Sequence, residues 1–278
     1  MALKLMYITN RPEIAVIAEK AGVDRIFIDM EYIGKGDRQR GMDTVQCHHT
    51  VDDVKKVKDV VRNAQIVVRV NPIHEATAHY CSSEEEIQNV IDAGADMVML
   101  PYFQHAEEIE RFVKIVNGKA IVFPLLESKK AYDQVGRILE VKGIDQIHIG
   151  LNDLSLDLGK KFLFELLADG TVEKLCCKFA QKGIPYGFGG IGRIGAGDVS
   201  SEHIIREHYR LKSSSAILSR SFCNVERVAD IDEIERLFMT GVAEIRETEE
   251  CCLKLTPEEL RENQVFVQKK VSEVVGRK

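Results

Sequence analysis

Short apolar and β-branched runs alternate with amphipathic segments along the whole chain. Between most of these runs lies a helix-length segment, such as PEIAVIAEKAG or AEEIERFVKIVNG. This alternation is typical of parallel strands joined by crossover helices, because such strands are buried on both faces. The runs are LKLMYI, DRIFIDM, QIVVRV, DMVMLP, AIVFPLL, QIHIGL, GIPYGF and SAILSR. These eight strand–helix units predict an α/β fold of the (β/α)8 TIM barrel type, with residues 1–278 forming a single barrel domain.

An open, doubly wound sheet is the alternative arrangement for the same alternation of strands and helices. In that fold a glycine-rich phosphate-binding turn follows the first strand. Here the first predicted strand is followed by TNRPE, which contains no glycine. The closed barrel is therefore the preferred interpretation.

The last part of the chain, residues 225–278, predicts a helical extension of two segments that are broken near LKLTPEEL. Thr256, Pro257 and Glu259 have the pattern of a helix start, with a capping residue, a first-turn proline and a capping-box glutamate. The final helix exceeds a minimal barrel and has one apolar face, formed by Leu260, Val267, Val271 and Val274. We expect this face to pack either on the chain's own barrel or on another subunit.

Composition narrows the class of protein. Of the 278 residues, 45% are hydrophobic and 29% are charged, which suits one large core. The net charge of -6 and the pI near 5.8 leave no basic surplus for a nucleic-acid backbone or an anionic membrane. The chain has neither a signal-peptide pattern nor an apolar run of about 18 residues, and its seven cysteines form no CxxC pair. We therefore expect a cytoplasmic protein with no nucleic-acid or membrane partner.

Polar residues follow the predicted strands at the points where these strands end. In a (β/α)8 barrel the C-terminal ends of the strands meet at one rim, and that rim carries the chemistry. Several carboxylates and two arginines are expected to converge there. The residues at these positions are Asp29, Glu31, Tyr32, Arg69, Asn71, Pro101, Gln104, Glu127, Asn152, Asp153 and Arg220.

Two of these carboxylates predict a metal site. Glu127 follows VFPLL and Asp153 follows IHIGLN, and the two runs are consecutive strands of the predicted barrel. Two oxygen ligands with open coordination positions suit Mg²⁺, Mn²⁺ or Co²⁺ rather than a closed structural zinc site. The alternative is that each carboxylate forms an ion pair with a neighbouring lysine or arginine.

Several segments together carry a resemblance to a known family. VKGIDQIHIGLNDLSLDLG resembles the signature of the HpcH/HpaI aldolase family, which includes relatives of the citrate lyase β subunit. PLLES resembles the strand that bears the metal-binding glutamate of this family. FIDMEY, VVRVN and NVIDAGADMVMLPYFQHAEE resemble the second, third and fourth strand regions. The segments stand in the family's order over roughly residues 15 to 160, and the resemblance is weak after Gly159.

The resemblance implies a class II aldolase, a metal-dependent carbon–carbon lyase. In such enzymes a 2-oxo acid such as pyruvate chelates the metal, which then stabilises the enolate. By this resemblance Glu127 and Asp153 are the metal ligands, and Arg69 faces the enolate oxygen, where its fixed positive charge would favour the transition state. Arg69 as a salt-bridge residue without a catalytic role is the alternative.

The resemblance assigns roles to three further positions. Glu31 is expected to hold metal-bound water, and Asp92 is expected to orient the proton-transfer apparatus. The backbone amides around Asn152 and Asp153 are expected to bind the substrate carboxylate. A catalytic barrel of this kind also implies a homo-oligomer, a trimer or hexamer, and a small-molecule 2-oxo acid substrate.

Two departures from the family pattern concern the general base. Tyr32 stands where family aldolases have a histidine, and a phenol is a poorer base than an imidazole at neutral pH. Leu125 stands where many members have glutamine. The long loop GKGDRQRGMDTVQCHHT brings charged residues to the rim, and His48 or His49 is a candidate replacement base. The alternative is a solvated loop, to which Lys35, Arg38 and Arg40 also belong.

Two further loops predict the partner substrate. GFGGIGRIGAGD follows the seventh strand and Ser219-Arg220-Ser221 follows the eighth. Glycines let backbone amides approach an anion, and arginine adds charge. We therefore expect an anionic partner substrate, for example a phosphorylated one, at Gly189, Gly190, Arg193 and Arg220. A tight turn that binds no ligand is the alternative.

Two other functions remain open at the level of sequence. One is an acyl-lyase of the citrate lyase β type that acts on a thioester of coenzyme A or of a carrier. The other is a barrel that binds a metabolite and has lost catalysis, with Tyr32 as the mark of that loss. The remaining histidines show no metal-ligand spacing and are expected to be structural.

Overall fold

A closed barrel of eight parallel strands forms the centre of the molecule. The computed structural model describes residues 2–34, 48–225, 227–228 and 230–277. The strands are β1 (Lys4–Ile8), β2 (Arg25–Asp29), β3 (Gln65–Arg69), β4 (Met97–Leu100), β5 (Ile121–Leu126), β6 (Ile147–Ile149), β7 (Tyr186–Ile191) and β8 (Ser215–Leu218). Each strand pairs with the next along the chain, and β8 pairs with β1. This closure confirms the predicted (β/α)8 barrel and excludes the open sheet.

Helices lie around the barrel, in the connections between strands. They are α1 (Pro12–Lys20), α2 (Val51–Val60), α3 (Ser83–Asp92), α4 (Ala106–Val116), α5 (Lys129–Asp133), α6 (Val135–Ile138), α7 (Leu151–Asp157), α8 (Glu165–Ala168), α9 (Thr171–Gln181) and α10 (Ser201–Arg210). Helices α11 (Ile231–Cys252) and α12 (Pro257–Arg277) follow the last strand. None of the described helices combines the length and apolar character needed to cross a bilayer.

The alternation of side chains along each strand determines what reaches the site. In β2, Ile26 and Ile28 belong to the apolar layer between strands and helices, whereas Phe27 belongs to the smaller cluster inside the barrel. Successive strand residues point to opposite faces. Asp29 therefore points to the interior side, as Phe27 does, at the C-terminal end of β2.

The opposite end of the barrel interior is filled by polar side chains. Arg25 donates from Nη2 to Gln146 Oε1 at 2.9 Å, and Gln146 donates to Ser215 Oγ at 3.0 Å. The Arg25 guanidinium also lies 5.7 Å from the centre of the Phe123 ring. Burial lowers the pKa of Arg25 from its usual value. These contacts fill the end of the barrel that lies away from the predicted site.

Two long helices, α11 and α12, follow the last strand. The Thr256 amide donates to Glu259 Oε2 at 2.7 Å, and the Glu259 amide donates to Thr256 Oγ1 at 3.2 Å, which confirms the predicted capping box. Helix α12 packs against α8 and α10. Its predicted apolar face is buried there at Val267, Val271 and Val274, and the face therefore lies on the chain's own barrel.

Helix α11 ties the end of the chain to its beginning. Buried Glu249 accepts hydrogen bonds from the Leu3 amide at 2.7 Å and from Tyr209 Oη at 3.2 Å. Arg246 bridges Glu249 and Asp24, with N–O distances of 2.6 and 3.0 Å. The first strand is thus held by a helix from the other end of the sequence.

Buried Asn263 joins α12 to α10, and its loss should destabilise the protein. Its Nδ2 donates to Glu207 Oε1 at 2.8 Å and to the His203 carbonyl at 3.1 Å. Asn263→Ala leaves the buried Glu207 carboxylate and the half-buried His203 carbonyl without this donor, so we expect the free energy of unfolding to fall by about 1–3 kcal/mol. Urea denaturation measures the change. The control is Glu262→Ala at an exposed neighbouring position, with an expected change within about 0.5 kcal/mol; equal losses in both variants would contradict the role of Asn263.

Candidate active site

A pocket of about 830 Å³ lies at the C-terminal end of the barrel strands. This is the end at which (β/α)8 barrels carry their active sites. Polar and glycine residues from six strands line it, each at or shortly after the end of its strand. They are Asp29, Arg69, Glu127, Asp153, Gly190 and Ser219.

An ion pair between buried Asp29 and largely buried Arg69 forms the centre of this site. The two residues are register partners on β2 and β3. Arg69 donates from Nε and Nη2 to the two carboxylate oxygens of Asp29, both at 2.8 Å. This bidentate geometry is the strong form of a charge-assisted hydrogen bond. The Arg69 guanidinium also lies over the Phe27 ring inside the barrel, 5.5 Å from the ring centre.

A second carboxylate lies on the other side of the guanidinium. Glu31 is fully buried, and its Oε2 lies 3.4 Å from Arg69 Nη1. Burial alone would lower the pKa of Arg69, but Asp29 and Glu31 outweigh it and raise that pKa well above its usual value. Arg69 is therefore a permanent positive charge with a fixed orientation.

Glu127 and Asp153 are buried carboxylates that line the same pocket. The Tyr102 amide donates to Glu127 Oε1 at 3.1 Å, and Tyr102 has a φ of 44°, a left-handed backbone that L-residues rarely adopt. At Gly150 a Cβ atom would lie 2.6 Å from Glu127 Oε2, so only glycine lets that carboxylate lie here. The local backbone is thus arranged around the position of Glu127.

The donor set fits a hard divalent cation. Glu127 and Asp153 offer carboxylate oxygens, which Mg²⁺ and Mn²⁺ prefer, and Mg²⁺ sites often use only one or two carboxylates beside substrate oxygens and water. Within the described ranges, no cluster of three or more His, Cys, Asp or Glu side chains is arranged to hold a metal ion. A metal at this pocket would therefore rely on the two predicted carboxylates together with substrate or water.

Tyr32 lies away from the pocket lining. Its side chain is 39% exposed, and its ring is 5.4 Å from the ring of Tyr80. Its amide donates to Asn71 Oδ1 at 3.0 Å. Burial and the nearby Glu86 carboxylate raise the pKa of Tyr32, which makes the phenol still harder to ionise. The residue that replaces the family histidine is thus turned toward another aromatic side chain.

His49 supplies an imidazole to the pocket, whereas His48 is exposed. The Asp29 amide donates to His49 Nδ1 at 2.9 Å. Because a backbone N–H must donate, Nδ1 is unprotonated and the neutral ring carries its proton on Nε2. Thr50 caps α2 through a capping box with Asp53, which fixes the chain directly after His49. Three charged residues of the same predicted loop, Lys35, Arg38 and Arg40, lie outside the described residues.

Asp92 does not reach the site, contrary to expectation. It is the last residue of α3 and is exposed. Helices of the barrel run antiparallel to the strands, so the end of α3 lies where β4 begins, at the opposite end from the pocket. The resemblance of the surrounding segment placed Asp92 near the fourth strand but did not indicate which end of that strand it would occupy.

Two residues of the site were not selected from the sequence. Asp29 stood among the rim residues without an assigned role, although the alternation of β2 and its register with Arg69 would have indicated it. Glu86 lies in an acidic run, SEEE, which gives no signal of a buried role. Its carboxylate accepts from Asn71 Nδ2 at 2.7 Å, and burial raises its pKa. Asn71 in turn holds the backbone that follows Glu31.

The loops after β7 and β8 reach the pocket only in part. Gly189 and Gly190, within the last part of β7, line it, as does the exposed Arg220 after β8. Arg193 lies elsewhere, because its Nε donates to the Phe222 carbonyl at 2.8 Å. Asn152 lines the pocket beside Asp153, and its Nδ2 donates to Asp153 Oδ1 at 3.3 Å.

Comparison with known proteins gives relatives and structural neighbours. The 2-keto-3-deoxy-L-rhamnonate aldolase of Shigella dysenteriae serotype 1 (strain Sd197) is 29% identical over 107 residues, which cover 28% of this chain and 40% of that protein. The match thus spans less than half the length of this relative. An HpcH/HpaI aldolase/citrate lyase family protein from Burkholderia cenocepacia J2315 has a TM-score of 0.60 at 16% identity, with 84% of this chain and 94% of that chain covered.

A second solved structure shares the fold over most of the chain. The citrate synthase SbnG has a TM-score of 0.59 at 16% identity, with 90% of this chain and 95% of that chain covered. At such identities the likeness shows the barrel fold alone. The name of the rhamnonate aldolase, by contrast, is that of a carbon–carbon lyase, and aldolases of the HpcH/HpaI type generally depend on a divalent metal.

The family match covers the part of the chain that builds the site. It extends over residues 4–163, more than half of the chain, from β1 through the segment after α7. It includes Asp29, Arg69, Glu127 and Asp153, and it confirms the resemblance found in the sequence. The chain therefore belongs to the HpcH/HpaI aldolase/citrate lyase family.

Proposed function

We propose that this protein is a carbon–carbon lyase of the class II aldolase type, which acts on a 2-oxo acid such as pyruvate with Mg²⁺, Mn²⁺ or Co²⁺. The observation that carries the proposal is a permanently charged guanidinium, only 13% exposed, at the same pocket as two buried carboxylates. A site that binds a doubly oxygenated anion and stabilises an enolate needs this combination of charges. Family membership supports the same reaction class.

Arg69 would stabilise the negative charge that develops on the ketone oxygen. Two of its N–H groups are used by Asp29, so the plane of the guanidinium is already oriented before substrate binds. A dipole or charge that needs no reorientation is worth more in the transition state than a mobile one. Glu31, whose Oε2 lies 3.4 Å from Nη1, is a second carboxylate that holds the guanidinium.

Glu127 and Asp153 would hold the metal ion, which when bound supplies Lewis-acid stabilisation of the enolate charge. The carboxylate of the substrate would lie at the first turn of α7, beside Asn152 and Asp153. Backbone N–H groups in a first helical turn have no acceptor within the helix, so they are available to an anion. The substrate would thus be held at both of its oxygenated ends.

His49 would act as a hydrogen-bond donor to a substrate oxygen. The bond from the Asp29 amide keeps Nδ1 unprotonated, so the neutral ring offers the N–H group of Nε2. To accept a proton on Nε2 in its neutral form, the ring would have to adopt the other tautomer and lose that bond. His49 therefore supplies the imidazole that is missing at Tyr32, with a donor role instead of the base role predicted from the sequence.

Loss of either pocket carboxylate should remove metal binding. Glu127→Gln and Asp153→Asn keep the size of the side chain but remove its charge, so we expect Mn²⁺ affinity, measured by titration calorimetry, to fall more than about tenfold. Decarboxylation of oxaloacetate, assayed with EDTA and then with Mg²⁺, Mn²⁺ or Co²⁺, should require metal in the wild type and be lost in both variants. Asp133→Asn, at an exposed carboxylate, is the control. Unchanged Mn²⁺ affinity in both pocket variants would refute the two-carboxylate site.

Arg69→Lys tests the fixed guanidinium. The substitution keeps the charge but loses the planar fork, so kcat and kcat/KM should fall together by roughly 100-fold, with a smaller change in Mn²⁺ affinity. Arg111→Lys is the matched control, since Arg111 forms a similar fork with Glu84 on the surface. Wild-type kinetics in Arg69→Lys would show that Arg69 has only a structural role.

The variants His49→Gln and His49→Leu test whether His49 acts as a hydrogen-bond donor or as a general base. Glutamine keeps an N–H group near the position of Nε2, so His49→Gln should retain about a tenth or more of the activity, whereas His49→Leu should lose roughly 100-fold. Exchange of deuterium into the methyl group of pyruvate, followed by NMR across pH, is the second readout. Equal loss in both variants, with wild-type exchange that follows a pKa near ~6.5, would identify His49 as a base and reject the donor role.

A further inference from the structure

One side of the pocket is walled by apolar side chains. They come from the connections after β6, β7 and β8, and β7 lies four strands from β3, on the far side of the barrel from Arg69. Phe162 and Phe164 stand edge to face, with ring centres 5.4 Å apart, and both are half-buried. The wall consists of Phe162, Leu163, Phe164, Val199, Ile204 and Val225.

The pocket is large enough to hold a second substrate beside this wall. A volume of about 830 Å³ is that of a site for a drug-sized ligand. A three-carbon acid at Arg69, Glu127 and Asp153 occupies only a small part of it. The remaining space adjoins the apolar wall.

The glycine-rich loop after β7 uses its own backbone donors internally. The Gly192 amide donates to Ser201 Oγ at 3.0 Å, and the Gly195 amide donates to Glu202 Oε1 at 3.0 Å. A phosphate cradle requires such amides to point at the ligand. The Glu202 carboxylate thus already accepts an N–H group that a bound phosphate would need.

Charge at this side of the pocket also disfavours an anion. Arg193, expected to bind one, donates instead to the Phe222 carbonyl. Asp198, of opposite charge to the exposed Arg220, also lines the pocket. Phosphate recognition relies on converging positive charge, whereas among the described lining residues Arg220 stands with Asp198, and Arg11 is already paired with Glu13.

We propose that the second substrate is an uncharged aldehyde with an apolar side chain, aromatic for preference, held against Phe162, Phe164 and Ile204. This inference rests on the proposed lyase function and replaces the anionic partner expected from the sequence. In the direction of synthesis, the methyl carbon of pyruvate loses a proton and forms a bond to the aldehyde carbon. The aldehyde oxygen gains a proton, and nothing is oxidised or reduced. Cleavage is the reverse.

Binding of benzyl alcohol, an uncharged probe that cannot react, tests the apolar wall without turnover. Ligand-observed NMR should show binding that weakens about tenfold in Phe164→Ala, and likewise in Phe162→Ala. Phe266→Ala is the matched control, because Phe266 is a half-exposed phenylalanine stacked on His203 at the surface of α12. Equal binding in all variants would overturn the assignment of the wall, as would binding of inorganic phosphate that is lost in Arg220→Ala.

Aldol addition of pyruvate to two aldehydes then tests the substrate class. We expect kcat/KM for benzaldehyde to exceed that for glyceraldehyde 3-phosphate at least tenfold, and Phe164→Ala to remove this preference. Preference for the phosphorylated aldehyde, dependent on Arg220, would overturn the proposal. If neither aldehyde reacts while benzyl alcohol still binds in a Phe164-dependent way, the lyase function fails and the apolar site stands.

Discussion

The ion pair of Asp29 and Arg69 is the interaction on which the site depends. A guanidinium inside a barrel is stable only if a carboxylate meets it in good geometry, and removal of one partner of a buried pair costs about 3–5 kcal/mol. Here β2 and β3 pair in the register that brings these two residues side by side. Asp29 also organises its surroundings, since its amide holds His49 and its Oδ1 accepts from the Glu31 amide at 3.2 Å.

The barrel divides its mouth into two chemically different sides. Strands β2 and β3 bring the fixed charge, and β5 and β6 bring the carboxylates that suit a cation. Connections after β6 to β8 bring phenylalanines and branched aliphatic side chains. A closed barrel places these sides face to face across one opening, so a polar reaction centre and an apolar binding surface need not compete for the same strand ends.

The sequence was a good guide to the strands, which follow from regular periodicity, and to the pocket carboxylates, which follow the strand ends. All eight apolar runs are strands, and Glu127 and Asp153 line the pocket, because the end of a buried parallel strand is recognisable from composition. It was a poor guide to the position of a side chain where that position depends on the direction in which the side chain points, or on which end of the barrel its residue occupies. Asp92 stands at the wrong end of the barrel, Arg193 turns to a carbonyl, and Tyr32 turns to Tyr80. Such outcomes depend on tertiary contacts that spacing does not encode.

The bond from the Leu3 amide to Glu249 joins residues 246 positions apart. Contacts of such sequence separation form late, because the entropy of closing a long loop must be overcome first. During synthesis β1 is made before its partner strand β8 and before its helical tether on α11. One edge of β1 therefore stays open until β8 has been made, and the barrel depends on a closing step that can follow only the synthesis of β8 and α11.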